Sequence, residues 1–303
     1  EDVAIDAAVN QYCVDEGIAT YEECSAIYSG FHQYVLVNPG VDSTITLSDV
    51  LPGETERRTI DFTAEQLGYP KAIRDYDAVT FQFEREFDGV WSLQGSYTWS
   101  RLFGNYEGSV KSDNGQTDAG LTTDFDQPGL TDGTLGFSPN HRRHNFKLFG
   151  SYQVTDWLLV GANFQATSPR KFGCIGRIPS DIDFFAQFYG AAGFYCNVDA
   201  NGEIITDERT GVNTNTAGAL TPRGSVFESD WLTQSNISLV FRLPTEAFTG
   251  DFRVDVFNIF NQEAALDFDE TGTLGSGRPD FNYRQVTRYQ APRSVRLQLA
   301  VRF

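Results

Sequence analysis

Residues 75–303 consist of segments with strict apolar and polar alternation, joined by links that are by turns very short and very long. In "VWSLQGSYTWS", Trp91, Leu93, Gly95, Tyr97 and Trp99 share one face, while Ser92, Gln94, Ser96, Thr98 and Ser100 share the other. A period of two residues is that of a strand with one greasy side. "RSVRLQLAVRF" at 293–303 repeats it, with Val295, Leu297, Leu299, Val301 and Phe303 alternating with Ser294, Arg296, Gln298, Ala300 and Arg302. "YDAVTFQFEREF" sets Val79, Phe81, Phe83 and Phe87 against Thr80, Gln82, Glu84 and Glu86, with Arg85 interrupting the apolar row. "HNFKLFGSYQV", "SDWLTQSNISLVFRL" and "DFRVDVFNIFN" behave alike, although Phe149 falls on a polar side. Periodicity alone does not say whether the apolar side faces a core or a solvent of lipid.

The links decide between the two. "FDG" at 87–89, "VTD" at 154–156 and "PTEAFTG" at 244–250 are short, whereas 104–140, 168–228 and 262–291 are long and acidic, Gly-rich or Pro-rich. Compact soluble domains rarely carry structureless loops beyond about 12–15 residues. Here the long links all fall at one end of consecutive hairpins. Short turns on one rim and long loops on the other are the pattern of an antiparallel transmembrane β-barrel of the outer-membrane type. The apolar side then meets lipid and the polar side a lumen, because only closure satisfies every backbone group in hydrocarbon. Trp91, Trp99, Trp157 and Trp231 lie near the expected strand ends, where aromatic girdles sit. A soluble sandwich is the rival that the loop asymmetry disfavours, and no apolar run reaches the roughly 18 residues of a membrane-spanning helix.

Strands are expected at 75–87, 90–103, 142–153, 156–167, 229–243, 250–261 and 293–303, with weaker candidates at 57–63 and 31–37. That makes about nine, whereas bacterial single-chain barrels are even-numbered. Parity puts the stretch before residue 31 in an outer loop, so the first strands are expected upstream of Glu1. "EDVAIDAAVN" has neither an initiating Met nor an export signal, and reads as a mature or internal segment.

A net charge of -18, from 23 Lys and Arg against 41 Asp and Glu, excludes a general nucleic-acid role, which needs a basic footprint. It suits an extracellular or cation-binding surface. Four cysteines fall as two local pairs, Cys13 with Cys24 and Cys174 with Cys196, read as disulfides of an oxidising compartment. Asp113, Asp118, Asp124, Asp126 and Asp132 are weak calcium candidates in one loop; their spacing fits no EF-hand, and a solvated loop is the plainer reading. His141 and His144 are three apart at a strand start, which turns the rings to opposite sides and argues against a metal pair. Arg142, Arg143, Lys147, Arg170 and Lys171 cluster at the expected outer rim, suited either to lipopolysaccharide phosphates or to charge balance. No nucleophile elbow, Walker loop or zincin motif occurs, so neither catalytic nor cofactor-binding residues are assigned and the chain does not read as an enzyme.

In order along the chain, "PKAIRDY", "GSYTWSRLFGNYEGSVKSDNGQTD", "FDQPGL", "PNHRRHNFKLFGSYQV", "SPRKFGCIG", "YGAAGFYCN", "TPRGS" and "VDVFNIFNQ" resemble the C-terminal part of the Oar-like TonB-dependent outer-membrane receptors. The resemblance runs from about residue 30 to the end. It departs where the family has Asp-Arg before the histidine of "HNFK" and this chain has "HRRH", and where a Ser-Gly-Arg-Pro turn becomes "TSPRK".

The resemblance implies that residues 1–303 are one piece of a 22-stranded barrel in the outer membrane, with long loops outside the cell. It implies a separate N-terminal plug and import of a scarce, unspecified ligand, driven through TonB. The plug, the TonB-contacting segment and the early barrel strands are expected outside this chain. It also marks Phe303 as the signal read by the barrel-assembly machinery, and lipid and lipopolysaccharide as neighbours. A passive porin or an adhesive barrel is the alternative.

Overall fold

The computed structural model describes residues 2–18, 34–116, 124–197, 218–244 and 249–302. Seven long strands form one antiparallel meander: β1 (Arg74–Arg85), β2 (Trp91–Gly104), β3 (His144–Thr155), β4 (Leu158–Thr167), β5 (Leu232–Pro244), β6 (Thr249–Phe257) and β7 (Ser294–Arg302). Each pairs with its neighbour in sequence, and the short strand Gly136–Phe137 adds to the end of β2. The long strands run 9 to 14 residues, enough for a tilted strand to cross a bilayer.

Register carries the apolar rows from strand to strand without a break. Phe81 lies opposite Tyr97, and Tyr97 opposite Phe146. Val160 lies opposite Leu239, Leu239 opposite Val254, and Val254 opposite Leu297. This face is a surface, not a core: Phe81 is 67% exposed and Leu299 66%. A contiguous apolar sheet face of this extent is what lipid, not water, accommodates. Gly95 belongs to the row because the Phe83 ring occupies its side-chain space; a Cβ there would lie 2.4 Å from that ring.

Arg85, the interruption in the β1 row, is explained by the turn after it. Asp88 Oδ1 accepts from the backbone N–H of Val90 and Trp91 at 3.0 and 3.1 Å, and Arg85 donates to Asp88 Oδ2 at 2.5 Å while lying 4.2 Å over the Trp91 ring. The interruption is therefore a cap on the short-turn rim. At the opposite end the links are long, 105–143, 168–231 and 258–293.

The two weaker candidates need correction. Strands do form at Thr59–Phe62 and Tyr34–Leu36, but they pair with Ser43–Thr46 and Asp2–Ala4 and stand apart from the sheet. The physical reason is length, since three or four residues span only about 10–14 Å. Ile60 and Phe62 face a protein interior formed with Val3, Ile5, Val9, Leu47 and Leu67. A greasy face with period two is common to both settings. Residues 2–18 and 34–72 thus make a small lobe, which includes the helix Asp6–Asp15 and a Thr63–Gln66 capping box. Phe125 of the β2–β3 link completes the lobe's core, and Ala4 donates from its N–H to the Asp126 carbonyl at 3.1 Å.

Among the described residues the sheet thus has seven long strands where nine were expected, again an odd number. β1 begins at the long-link end, which sets the lobe there. β1 and β7 are the outer edges of the sheet and pair with one another nowhere among the described residues. No described helix is long and apolar enough to cross a membrane.

Candidate functional site

The long links fold onto each other around buried charge. Arg223, after the second cysteine pair, donates from Nε to Asp113 Oδ2 at 2.9 Å and from Nη1 to the Thr134 carbonyl at 3.2 Å. Its Nη2 pairs with Asp124 Oδ2, whose other oxygen takes Lys111 Nζ. The side chains of Arg223 and Lys111 are 1% and 0% exposed, and both lie over the Phe194 ring, at 5.1 and 4.6 Å. Burial opposes charge on Arg223, but Asp113 and Asp124 outweigh it and raise its pKa. Burial likewise pushes the Asp124 carboxyl up, and Lys111 with Arg223 reverses this, leaving it below its ordinary range. Gly136 permits the approach, since a Cβ there would lie 2.3 Å from the Arg223 carbonyl oxygen.

A second cluster ties in the third link. Arg170 donates to Asp267 at 2.5 Å and to Glu270 at 2.6 Å, while Glu270 Oε2 accepts from the Gly173 N–H at 2.9 Å. Burial, then the field of Asp113, pushes Glu270 up to about 8, against the pull of Arg170. These groups line a cavity of about 280 Å³ that Asp113, Asp269 and Thr287 also border. Cys174 and Cys196 form a disulfide, and Cys174 and Ile175 are wholly buried between the clusters. The three links are thereby joined by ion pairs into one cap, and the disulfide braces the middle link internally.

Beneath it lies the polar face of the sheet. Asp255, 3% exposed, accepts from Arg253 at 2.7 Å and from Arg296 at 2.8 Å. Asn236 accepts from the Asn258 N–H at 2.8 Å and donates to Asn163 at 2.7 Å. Asn163, Asn236, Arg253, Asp255 and Arg296, with Gln94, line a concavity of about 370 Å³.

The candidates named from sequence are dispersed. Asp113 and Asp124 serve Arg223 and Lys111, and Asp132 accepts from the Tyr195 hydroxyl at 2.6 Å, which with burial raises the phenol's pKa. Asp126 is buried, and Asp118 lies outside the described residues. Among the described residues no group of three or more His, Cys, Asp and Glu is spaced to hold a metal ion. His141 is buried, accepting on Nδ1 from the Leu102 N–H at 3.2 Å, whereas His144 bonds the Tyr97 hydroxyl at 2.8 Å. Cys13 is fully buried in the lobe; Cys24, its expected partner, and Phe303 lie outside the described residues. Arg223, Lys111 and Glu270 were not singled out from sequence. The partners of Arg223 and Glu270 lie about a hundred positions away, beyond any local pattern, whereas Lys111 sits 13 positions from Asp124 in the same loop and was passed over because the loop read as solvated.

The architecture defines a class: a membrane β-sheet with a lipid face, a polar inner face and a structured outer cap. Residues 25–163 match the family model described as "Outer membrane beta barrel domain". The chain is part of an outer-membrane β-barrel. It is distantly related to the TonB-dependent transporter Oar of Myxococcus xanthus, with 26% identity over 273 residues, 78% of this chain and 23% of the relative. It therefore spans about a quarter of that protein's length. Two mutant structures of the ferric enterobactin receptor PfeA from Pseudomonas aeruginosa overlap it at a TM-score of 0.35 and 12% identity, over 76% and 89% of this chain and 22% and 27% of theirs.

Proposed function

We propose that the chain is the C-terminal barrel portion of a TonB-dependent active transporter, whose cap of locked links gates ligand entry. The observation that carries this is a seven-strand meander whose edges, β1 and β7, have no further partner strand among the described residues and whose inner face is polar, in a chain related to Oar over only part of Oar's length. An unpaired edge in hydrocarbon leaves amide groups without partners at several kcal/mol each, so β1 and β7 require further strands. In this reading they come from upstream sequence, together completing a barrel of about 22 strands, as expected for the resembling family. A plug domain faces Asn163, Asn236 and Asp255 in the lumen. TonB, reached through the upstream part, supplies the work, Phe303 serves assembly, and the protein performs transport, not catalysis.

The rival is a passive pore. Planar-bilayer recording on the full-length protein separates the two: a plugged transporter gives no steady conductance, and a stable open channel overturns the reading. Cysteine introduced at Gln94 should crosslink to a cysteine on the plug in the full-length protein.

A further inference from the structure

The inner face of β5–β7 carries charge that much of the wall lacks. Alternation from Asn236 and Asp255 puts Arg242 of β5, Asp251, Arg253 and Asp255 of β6, and Arg296 and Arg302 of β7 on that face. Four arginines thus stand with two aspartates, in a chain whose net charge is -18. The inner rows of β2 and β4 hold no charged residue at all.

Three of these arginines form a regular series. Arg296 lies opposite Asp255, Arg253 opposite Gln298 and Val240, and Arg242 opposite Asp251. Each step from Arg296 to Arg253 to Arg242 moves one strand across and two residues toward the short-turn rim, about 8 Å. The series therefore begins beneath the cap and descends the wall.

Their donors are only partly spent. Asp255 accepts from Arg253 Nε at 2.7 Å and from Arg296 Nε and Nη2 at 3.1 and 2.8 Å, which orients both groups. The Arg296 guanidinium also lies 5.4 Å over the Phe257 ring. Both Nη groups of Arg253 and Nη1 of Arg296 have no acceptor among the described residues, on side chains 45% and 52% exposed. Arg242 makes no ion pair among the described residues, not even with its cross-strand neighbour Asp251. Arg253 and Arg296 border the 370 Å³ concavity beside Asn163, Asn236 and Gln94.

We propose that Arg296, Arg253 and Arg242 form an anion track on the lumen wall, along which a solute bearing carboxylate or phosphate groups moves from the cap toward the periplasmic rim. This rests on the transporter reading and adds to it the charge of the cargo. A guanidinium with free Nη groups offers an oxyanion a paired, charge-assisted contact. One fixed contact would need one such group, whereas a stepped series suits an ion that travels. Asp255 shares the charge of the first two arginines, so an anion is held there loosely enough to leave.

The test is calorimetric titration of the full-length protein at low ionic strength with pyrophosphate, with citrate and with choline as the cationic probe. Wild type should bind both anions and not choline. R242Q, which strands no partner, should weaken anion binding. R253Q/D255N/R296Q, which neutralises the cluster without leaving a buried charge, should weaken it on the order of tenfold. K147Q, which removes an inner-face charge outside the series, should bind like wild type, and heat-modifiable migration shows each barrel intact. Equal binding by wild type and the triple variant, or an equal loss in K147Q, overturns the track. Wild type that binds neither anion, with a triple variant whose plug opens to protease, overturns it in favour of a fixed contact to the plug. Failure of the transporter reading is seen separately, as steady conductance of the full-length protein in planar bilayers. In that event the track still requires anion selectivity by reversal potential, reduced in R242E, and a channel without that selectivity overturns it.

Discussion

Arg223 bonds Asp113 at 2.9 Å although 110 positions separate them, with both side chains withdrawn from solvent. This contact joins the β2–β3 link to the β4–β5 link and holds the cap's shape more than any local turn does. Removing one partner of a buried ion network strands the others, at about 3–5 kcal/mol. Arg223→Gln should therefore leave Asp113 and Asp124 uncompensated and open the cap to protease, with the sheet still formed. Limited proteolysis alongside heat-modifiable migration checks this; a cap as resistant as wild type would show that the network adds nothing.

The Glu270 carboxyl, raised to about 8, gives the cap a pH dependence whose sign follows from proton counting. Between the ordinary glutamate range and pH 8 the folded cap holds a proton that the unfolded chain has lost. Cap stability attributable to Glu270 is thus greatest at the acid end of that window and falls as pH rises toward 8. Asp124, lowered below its usual value, acts oppositely, its contribution being lost as pH falls through the acid range. Protection factors of residues 170–196, corrected for the intrinsic pH dependence of amide exchange, should rise from pH 8.5 to pH 6, and Glu270→Gln should flatten that change.

The legibility of this protein in its sequence follows the range of the interactions. β2 could be read because its own residues alternate, and the Cys174–Cys196 disulfide because the pair is local. Thr59–Phe62 was readable as a strand but not as part of a lobe, since Ile60 against a protein core and Leu299 against lipid produce the same alternation. Asp113 and Asp124 were visible as a charge cluster. Their shared counter-ion was not, because Arg223 arrives from another link, and although it lies in the "TPRGS" stretch nothing there shows which carboxylates it meets.

The disulfide closes a loop of 22 positions around Gly-rich sequence. On a loop-entropy basis it contributes about 3 kcal/mol to the cap. Cys174→Ser with Cys196→Ser, or reduction of the wild type, should expose 174–196 to protease while leaving migration of the barrel unchanged. Alkylation of both thiols in unreduced, folded protein would contradict the bond.

The two faces of the sheet should differ in their tolerance of charge, and the structure refines which positions to compare. Leu239 lies between Val160 and Val254 on the lipid side, as Val256 lies between Ile237 and Val295. Arginine at either position near the bilayer midplane costs about 2–4 kcal/mol and should hinder assembly. Asn236 and Asp255 are on the wet side but are poor neutral controls, because Asn236 bonds Asn163 and Asp255 bridges Arg253 and Arg296. Gln82, exposed on the inner face opposite Ser96, is the better comparison. Assembly yield in vesicles, read by heat-modifiable migration, should fall for Leu239→Arg and Val256→Arg, fall less for Asp255→Ala, and hold for Gln82→Arg. Equal loss at Leu239 and Gln82 would mean that the lipid and lumen faces are exchanged.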